Sequence, residues 1–234
     1  MSFPTKPDYF GLATSLSTSL VLKDSTLNKS ATVATAQDEL GDVKADEVFG
    51  EQAAPSVTYE VKADVDLDDI KLGAITTIDG KAYALTSVSF STGPAVVPSM
   101  QCSGELVETG ATTANSTTIE LPEVTLKRWH DAQILGSAFT LGGTGCYLNG
   151  CNYTAQCDLT KATVEGTTVA HDVQNGRIEV QVTIVQTGST VPTVTAASGW
   201  TVTAPLTTEN PDEDYPKWTC TLTKYLESAH PTST

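Results

Sequence analysis

Apolar and polar residues alternate along several stretches of this chain, and this pattern is typical of half-buried β-strands. The longest run covers residues 56–68, with valine, tyrosine, alanine and leucine on one face and threonine, glutamate, lysine and aspartate on the other. Further runs of the same period cover residues 82–92, 177–187, 199–204 and 218–226. The alternation predicts a protein built mainly from β-strands.

Turn signals separate these runs and help to place the strands. They are Asp79-Gly80, Thr92-Gly93-Pro94, Asn149-Gly150, Asn175-Gly176 and Asn210-Pro211. Asn175-Gly176 lies between alternating segments and predicts a β-hairpin. Residues 127–137 carry a helical pattern weakened by Gly136, so a short helix and an irregular segment both remain open there. The polar, aperiodic residues 109–118 predict an exposed loop or a linker.

Composition supports a β-protein. The 234 residues include 38 threonines and 21 valines, two residue types that favour strands. The length suits one large β-domain or two domains of about 110 residues each. We therefore predict an all-β fold, a sandwich or barrel, with at most one or two short helices.

Weak internal similarity raises the possibility of two tandem related subdomains. The segment from Pro98 to Cys102 matches the segment from Pro216 to Cys220 at an offset of 118 residues. Five residues between positions 41 and 58 have identical counterparts at an offset of 125. Competing matches at offsets of 94 and 95 leave duplication and chance similarity both open. In the duplicated alternative, Cys102 and Cys220 occupy equivalent strands. The subdomains would be residues 1–110 and 123–234, joined by a linker at 111–122.

The charge balance limits the partners. Thirteen basic and 28 acidic residues give a net charge of −15, which argues against binding nucleic acid by neutralising its phosphates. The sequence has neither an apolar run of about 18 residues nor the pattern of a secretory signal, so we expect no membrane association and folding in a cytosol. The five cysteines are then expected to be free thiols.

Candidate chemistry is sparse. His130 and His171 each precede an aspartate, but no Gly-x-Ser-x-Gly elbow presents a serine to them. Cys146, Cys151 and Cys157 are spaced more widely than zinc ligands usually are. The sequence therefore predicts no catalytic residue, no cofactor and no metal site, and it does not favour an enzyme.

Three carboxylates, Asp64, Asp66 and Asp68, alternate along the first long run. They resemble part of a calcium loop, but Asp69 replaces the required glycine and the later glutamate is absent. Two interpretations remain: a solvated strand face, or a surface whose negative charge repels a polyanion that passes along it.

The segment GDVKADEVFG at 41–50, the strand at 55–67, the turn Lys71-Leu72-Gly73 and the later Val97-Pro98 and Ser103-Gly104 pairs resemble tail tube proteins of tailed bacteriophages. The resemblance covers residues 30–108, with a weaker echo over 150–227. It implies β-sandwiches flanked by a helix, which assemble into rings whose inner strands close a shared barrel. Rings would be trimers if the chain is duplicated and hexamers if it is not.

The same resemblance implies a structural virion protein, assembled in the host cytoplasm, whose partners are copies of itself and other tail proteins. Rings would stack into a tube through which DNA passes without specific binding. Asp64, Asp66 and Asp68 are then candidates for the wall of the bore. A capsid decoration protein, a neck component or a binding module at the tail tip remains an alternative.

Overall fold

The computed structural model describes residues 6–37, 43–67, 70–94, 96–108, 118–122, 125–126, 138–164, 167–208 and 215–226. One short helix, α1 (Leu12–Ser15), precedes the strands. The strands are β1 (Leu20–Gln37), β2 (Val43–Val61), β3 (Val65–Asp66), β4 (Lys71–Leu72), β5 (Ile75–Ile78), β6 (Lys81–Thr92), β7 (Ser99–Glu108), β8 (Ile119–Glu120), β9 (Thr125–Leu126), β10 (Phe139–Gly142), β11 (Cys146–Val164), β12 (Thr167–Gln186), β13 (Thr193–Ala196), β14 (Thr201–Thr208) and β15 (Lys217–Tyr225).

One large antiparallel sheet dominates the architecture. Its strands follow the order β1-β2-β7-β6-β11-β12-β15-β14, and β5 pairs with β6 beside this path. Three two-stranded sheets, β10-β13, β3-β9 and β4-β8, complete the described strands. The all-β prediction is confirmed.

The two faces of the large sheet differ in chemistry. The core face is apolar and buried, and its side chains are Val57, Tyr59, Val61, Val88, Phe90, Met100, Cys102, Cys151, Tyr153, Ala155, Ile178, Val180, Val182, Ile184, Cys220 and Leu222. The open face carries side chains that are half-buried or exposed, among them Ser56, Thr58, Glu60, Ser87, Ser89, Ser91, Gln101, Ser103, Asn152, Thr154, Gln156, Glu179, Gln181, Thr183, Thr219 and Thr221. This alternation follows from the two-residue period of a strand.

The N-terminal segment packs onto the core face. Phe10 lies against Gly104, where an added Cβ would lie 3.2 Å from the phenyl ring and 2.6 Å from the carbonyl oxygen of Ala84. The fully buried Tyr59 donates its hydroxyl proton to Asp8 Oδ1 at 2.6 Å, and the Ala13 N–H donates to Asp8 Oδ2 at 2.8 Å. Asp8 therefore ties the segment before β1 to the C-terminal end of β2.

The β11-β12 hairpin repeats the strand pairing of the β1-β2 hairpin. Residues of β1 and β11 correspond at an offset of 126, and residues of β2 and β12 correspond at 125. Three register shifts fall at matching positions: Leu22/Asp24 and Leu148/Gly150, Ser30/Thr32 and Gln156/Asp158, Ala36/Gln37 and Ala162/Thr163. A bulge marks one particular position in a strand pair. Three bulges at matching positions therefore show that the two hairpins align residue by residue along their whole length.

The next strand of each half continues the correspondence. Cys102 of β7 lies opposite Val57, and Cys220 of β15 lies opposite Val182. The two cysteines thus hold the same position relative to the two hairpins. A backbone hydrogen bond recurs as well, from Val61 N–H to the Pro98 carbonyl oxygen and from Gln186 N–H to that of Pro216, both 3.0 Å. The predicted linker at 111–122 lies largely outside the described residues, so the division into subdomains stays a prediction.

Two of the predicted turns are wrong. Asn149-Gly150 lies within β11 and Asn175-Gly176 within β12, and each dipeptide occurs where the strand register shifts. Asn175 has φ 53°, in the left-handed region that asparagine tolerates better than most residues. This backbone forms a bulge between long strands instead of a hairpin turn.

The first alternating run is also shorter than predicted. β2 ends at Val61, Ala63 is exposed, and pairing resumes only in β3, whose partner is β9. The strands predicted at 82–92, 177–187 and 218–226 are confirmed within β6, β12 and β15. The strand predicted at 199–204 is confirmed only from Thr201, where β14 begins, because Gly199 lies in a turn before it. The Asp79-Gly80 turn is confirmed between β5 and β6. The helix predicted within 127–137 and most of the loop at 109–118 lie outside the described residues.

Candidate assembly surface: two sheet edges and the open face

β14 forms one edge of the large sheet. It pairs with β15 on one side and has no strand partner on the other side among the described residues. Its sequence, TVTAPLTT, contains no charged residue, and all of its side chains except Leu206 and Thr208 are exposed. Exposed edge strands usually carry charges that discourage pairing with another chain. β14 has no charge on its edge, but Pro205 and two register shifts, between Val202 and Ala204 and between Ala204 and Thr207, interrupt it; the residues beyond these shifts, Thr207 and Thr208, are open to a further strand.

β1 forms the opposite edge. It pairs with β2 along its length, and within the described residues its outer side carries no strand. Leu27 is half-buried at this edge, and its neighbours Asn28, Lys29 and Ser30 are exposed. The two edges are therefore different surfaces, since one is the first strand of the path and the other is the last.

The two halves of the sheet meet where β6 pairs with β11. The paired residues are Thr92 with Cys151, Ser91 with Asn152, Phe90 with Tyr153, Ser89 with Thr154, Val88 with Ala155 and Ser87 with Gln156. On the core face this junction buries Phe90 at 1% exposure and Tyr153 at 0%. On the open face Ser91 Oγ donates a hydrogen bond to Asn152 Oδ1 at 2.8 Å. We name this pairing the internal joint.

The open face is lined by hydroxyl and amide side chains that bond to one another across strands. Gln101 Nε2 donates to Ser56 Oγ at 3.0 Å, and Asn152 Nδ2 donates to Gln181 Oε1 at 3.4 Å. Charged side chains of both signs also lie on this face, and they are Asp24, Glu60, Glu105, Glu179, Arg177 and Lys217. Neighbouring polar groups on this face thus bond to one another, and described basic side chains such as Lys23 and Lys161 are paired with Glu60 and Glu105, so they are less available to phosphate.

The acidic candidates lie beyond the large sheet. Asp64 and Asp66 are exposed, and they follow the end of β2 at Val61. The carbonyl oxygen of Asp64 accepts a hydrogen bond from Ser19 Oγ at 2.8 Å. Asp68 lies outside the described residues. That these carboxylates line a bore stays a prediction, and their place is at an end of the sheet instead of along its open face.

The same end of the sheet carries large exposed apolar side chains. Val97 and Tyr215 immediately precede Pro98 and Pro216, so they occupy corresponding positions in the two halves, and their exposures are 62% and 61%. Tyr147, near the start of β11, is 61% exposed at this end. Tyr225, which is 75% exposed, lies at the opposite end of β15, so this end carries several but not all of the large exposed apolar side chains that the structure describes. Exposed apolar side chains that lie close together indicate a contact surface.

The described candidate residues, His171 and the cysteines of β11, form no metal-binding cluster with one another. His171 is buried in β12, and burial lowers its pKa, with Asp172 opposing that shift and Lys161 adding to it. His130 lies outside the described residues. Within the described ranges no group of three His, Cys, Asp or Glu side chains is placed to hold a metal ion.

The five cysteines are free thiols. Burial raises the pKa of Cys151 to about 12 and that of Cys157 to about 12. Burial likewise raises the pKa of Cys102, with the nearby Asp8 carboxylate adding to the shift. These thiols are protonated at neutral pH and pack as small apolar side chains.

No protein-family model matches the chain, and no curated protein matches it. No helix in the described ranges is long and apolar enough to cross a membrane.

Proposed function

We propose that this chain is a structural subunit of a bacteriophage tail tube, which assembles into rings that stack and conduct DNA. Copies join through the edges of the large sheet, so that the open face lines a bore. With two related halves in each chain, three copies complete a ring with six similar units. The partners are further copies of the chain and other tail proteins, and the location is the virion.

The observation that carries this proposal is the internal joint. Two four-stranded units with matching strand register already lie edge to edge in one sheet. Among the described strands, the same two kinds of edge have no further partner at β1 and β14. Unlike edges give head-to-tail contacts, which generate closed rings when the rotation between copies closes. Closure removes the open edges that otherwise promote aggregation.

The open face supports a role in DNA passage. Serine, asparagine and glutamine side chains there are engaged with one another across strands. The carboxylates of Glu60 and Glu105 are paired with Lys23 and Lys161, so the acidic groups there also keep basic side chains from standing alone. Side chains that already hydrogen-bond to one another compete only weakly with water for binding to a phosphate group. The net charge of −15 adds repulsion at longer range. DNA would therefore pass through such a bore without binding to its wall.

The apolar end of the sheet supports stacking. Val97 and Tyr215 repeat once in each half, so a ring of three chains presents six such positions around its rim. Burying them against the next ring would remove apolar surface from water at about 25 cal/mol per Å². This end is therefore the contact between rings.

Electron microscopy of the purified full-length chain, together with light scattering, tests the proposal. Rings with a central hole, or tubes built from them, are expected. A chain that stays monomeric at high concentration would overturn the proposal. Binding of that monomer to empty capsids would instead indicate a decoration or neck protein.

A further inference from the structure

We propose that β14 of one copy pairs antiparallel with β1 of the next copy in a defined register, with Thr207 opposite Asn28 and Thr208 opposite Leu27. The partner is a second copy of this chain, and in this respect the inference rests on the proposed function. It goes further because it specifies which residues meet. We name this pairing the external joint.

The register follows from the internal joint. β11 corresponds to β1 at an offset of 126, so Thr154 and Tyr153 correspond to Asn28 and Leu27. β6 pairs with β7, and β14 pairs with β15. Because β7 and β15 correspond to each other, β6 and β14 correspond as well. Ser89 lies opposite Gln101, and Thr207 lies opposite Thr219, which is the counterpart of Gln101 at an offset of 118. The Ser89–Thr154 pair thus becomes Thr207–Asn28.

A shared irregularity supports the match between β6 and β14. β6 shifts register between Leu85 and Ser87, and β14 shifts between Val202 and Ala204. Before this shift ends, Ala204 takes the position of Ser87. Ser87 lies opposite Gln156, the counterpart of Ser30, so Ala204 would lie opposite Ser30 in the external joint. β14 has a second shift between Ala204 and Thr207, at Pro205 and Leu206. The pairs at Thr207 and Thr208 lie beyond that shift, where the offset of 118 applies.

The side chains at the external joint suit this pairing. Leu27 and Thr208 are half-buried in the single chain and correspond to Tyr153 and Phe90, which the internal joint buries. Adding the next strand would cover both on the core face. On the open face Asn28 and Thr207 are exposed and able to bond to each other as Ser91 and Asn152 do. Neither Thr207 nor Asn28 brings a charge into the contact, whereas Lys29, the counterpart of the buried Ala155, would bring its ammonium group to the core side beside Leu206.

Cysteine cross-linking tests the register. The variant carrying Asn28→Cys and Thr207→Cys is oxidised at a concentration where assemblies form, and the products are separated under denaturing, non-reducing conditions. We expect disulfide-linked dimers and trimers, because directly opposite residues on antiparallel strands place their Cβ atoms close to the span of a disulfide. Each single variant alone should stay monomeric on the gel, and a mixture of the two single variants should give dimers only.

Two matched variants calibrate the result. Ser89→Cys with Thr154→Cys places the same pair at the internal joint, so it should form an intramolecular disulfide of the same geometry. Asp24→Cys with Thr207→Cys keeps the open face but moves the pair out of register. It should cross-link at least about tenfold more slowly, because four residues correspond to about 13 Å along a strand. The wild-type chain with its five native cysteines is the blank.

The outcomes separate this inference from the proposed function. Rings seen by microscopy without a 28–207 cross-link, while the 89–154 pair forms, would overturn the register and leave the ring intact. Cross-linking of either single variant by itself would indicate like edges meeting and would overturn it too. Monomers throughout would overturn both proposals.

Hydrogen exchange on the wild-type chain gives a second measurement that needs no substitution. Amides of β1 and β14 are expected to gain protection in assemblies relative to dilute chain, and to do so together. Protection confined to the sheet end near Val97, with β1 and β14 exchanging as in the monomer, would overturn the external joint even if the cysteine variants fail to fold.

Discussion

Replacing Tyr59 by phenylalanine is expected to lower the free energy of unfolding by about 2 kcal/mol. The Tyr59 ring is fully buried, and its hydroxyl donates to the Asp8 carboxylate at 2.6 Å. Hydrogen bonds to a charged group contribute about 1.5–3 kcal/mol to stability, and phenylalanine preserves the packing of the ring. The loss therefore measures the bond that ties the N-terminal segment to β2.

Burial raises the pKa of Tyr59, and the hydrogen bond to Asp8 raises it further. The phenol is therefore a donor over the whole pH range in which the protein would be studied. The assay is urea unfolding followed by fluorescence at a fixed chain concentration, since assembly itself adds apparent stability. The midpoint should fall while the slope of the transition is unchanged.

Tyr153→Phe is the matched control. Tyr153 is as buried as Tyr59, but its hydroxyl has no hydrogen-bond partner among the described residues. Removing that hydroxyl is expected to be neutral or to stabilise, because a buried group without a partner carries a desolvation cost of about 1–3 kcal/mol. Equal losses in the two variants would refute the reasoning. So would a coupling energy near zero in a double-mutant cycle between Tyr59→Phe and Asp8→Ala.

Three further outcomes are expected. Gly104→Ala should destabilise by about 1–3 kcal/mol in urea unfolding, because its Cβ would lie 2.6 Å from the Ala84 carbonyl oxygen, whereas Gly93→Ala, with its nearest atom at 4.0 Å, should be close to neutral. Cys151, whose pKa burial raises to about 12, should resist maleimide labelling at pH 8 in the native protein and react in urea, as mass spectrometry of the labelled peptide would show. His171 has a lowered pKa because it is buried, so the unfolded chain binds its proton more readily and stability should be lost as the pH falls below about 6.5; the thermal midpoint of His171→Gln should depend less on pH in that window, and an unchanged dependence would contradict this assignment.

The strand content was predictable because alternation is a local signal. Residues 82–92 and 218–226 carry the period of two, and the structure places strands there. The lengths of the strands were harder to predict from the sequence. Asparagine and glycine favour left-handed backbone both in tight turns and in bulges, and only the partner strand decides which one forms. Asn175 and Gly176 form the bulge because the single residue Cys157 of β11 lies opposite them, and no sequence window around Asn175 contains that strand.

The candidate surface was only partly predictable. The offset of 125 residues was visible in matches such as Val57 with Val182, but matches at other offsets competed with it. Pairing resolves the competition, because Val57 faces Cys102 and Val182 faces Cys220. The edges themselves have no sequence signal of their own. β14 is recognisable as an edge only after the strand order is known, since threonine-rich strands are equally suited to the middle of a sheet.

The internal and external joints need not be equally strong, and the difference has a consequence for assembly. The internal joint pairs Phe90 with Tyr153, two aromatic rings that bury a large area, whereas the external joint would pair Thr208 with Leu27. Less apolar surface is buried per strand pair, and Pro205 contributes no N–H to the new ladder. Contacts within one chain also form without the entropy cost of bringing two molecules together. The single chain should therefore complete its nine-stranded sheet first and close into a ring afterwards, at a concentration set by the weaker joint.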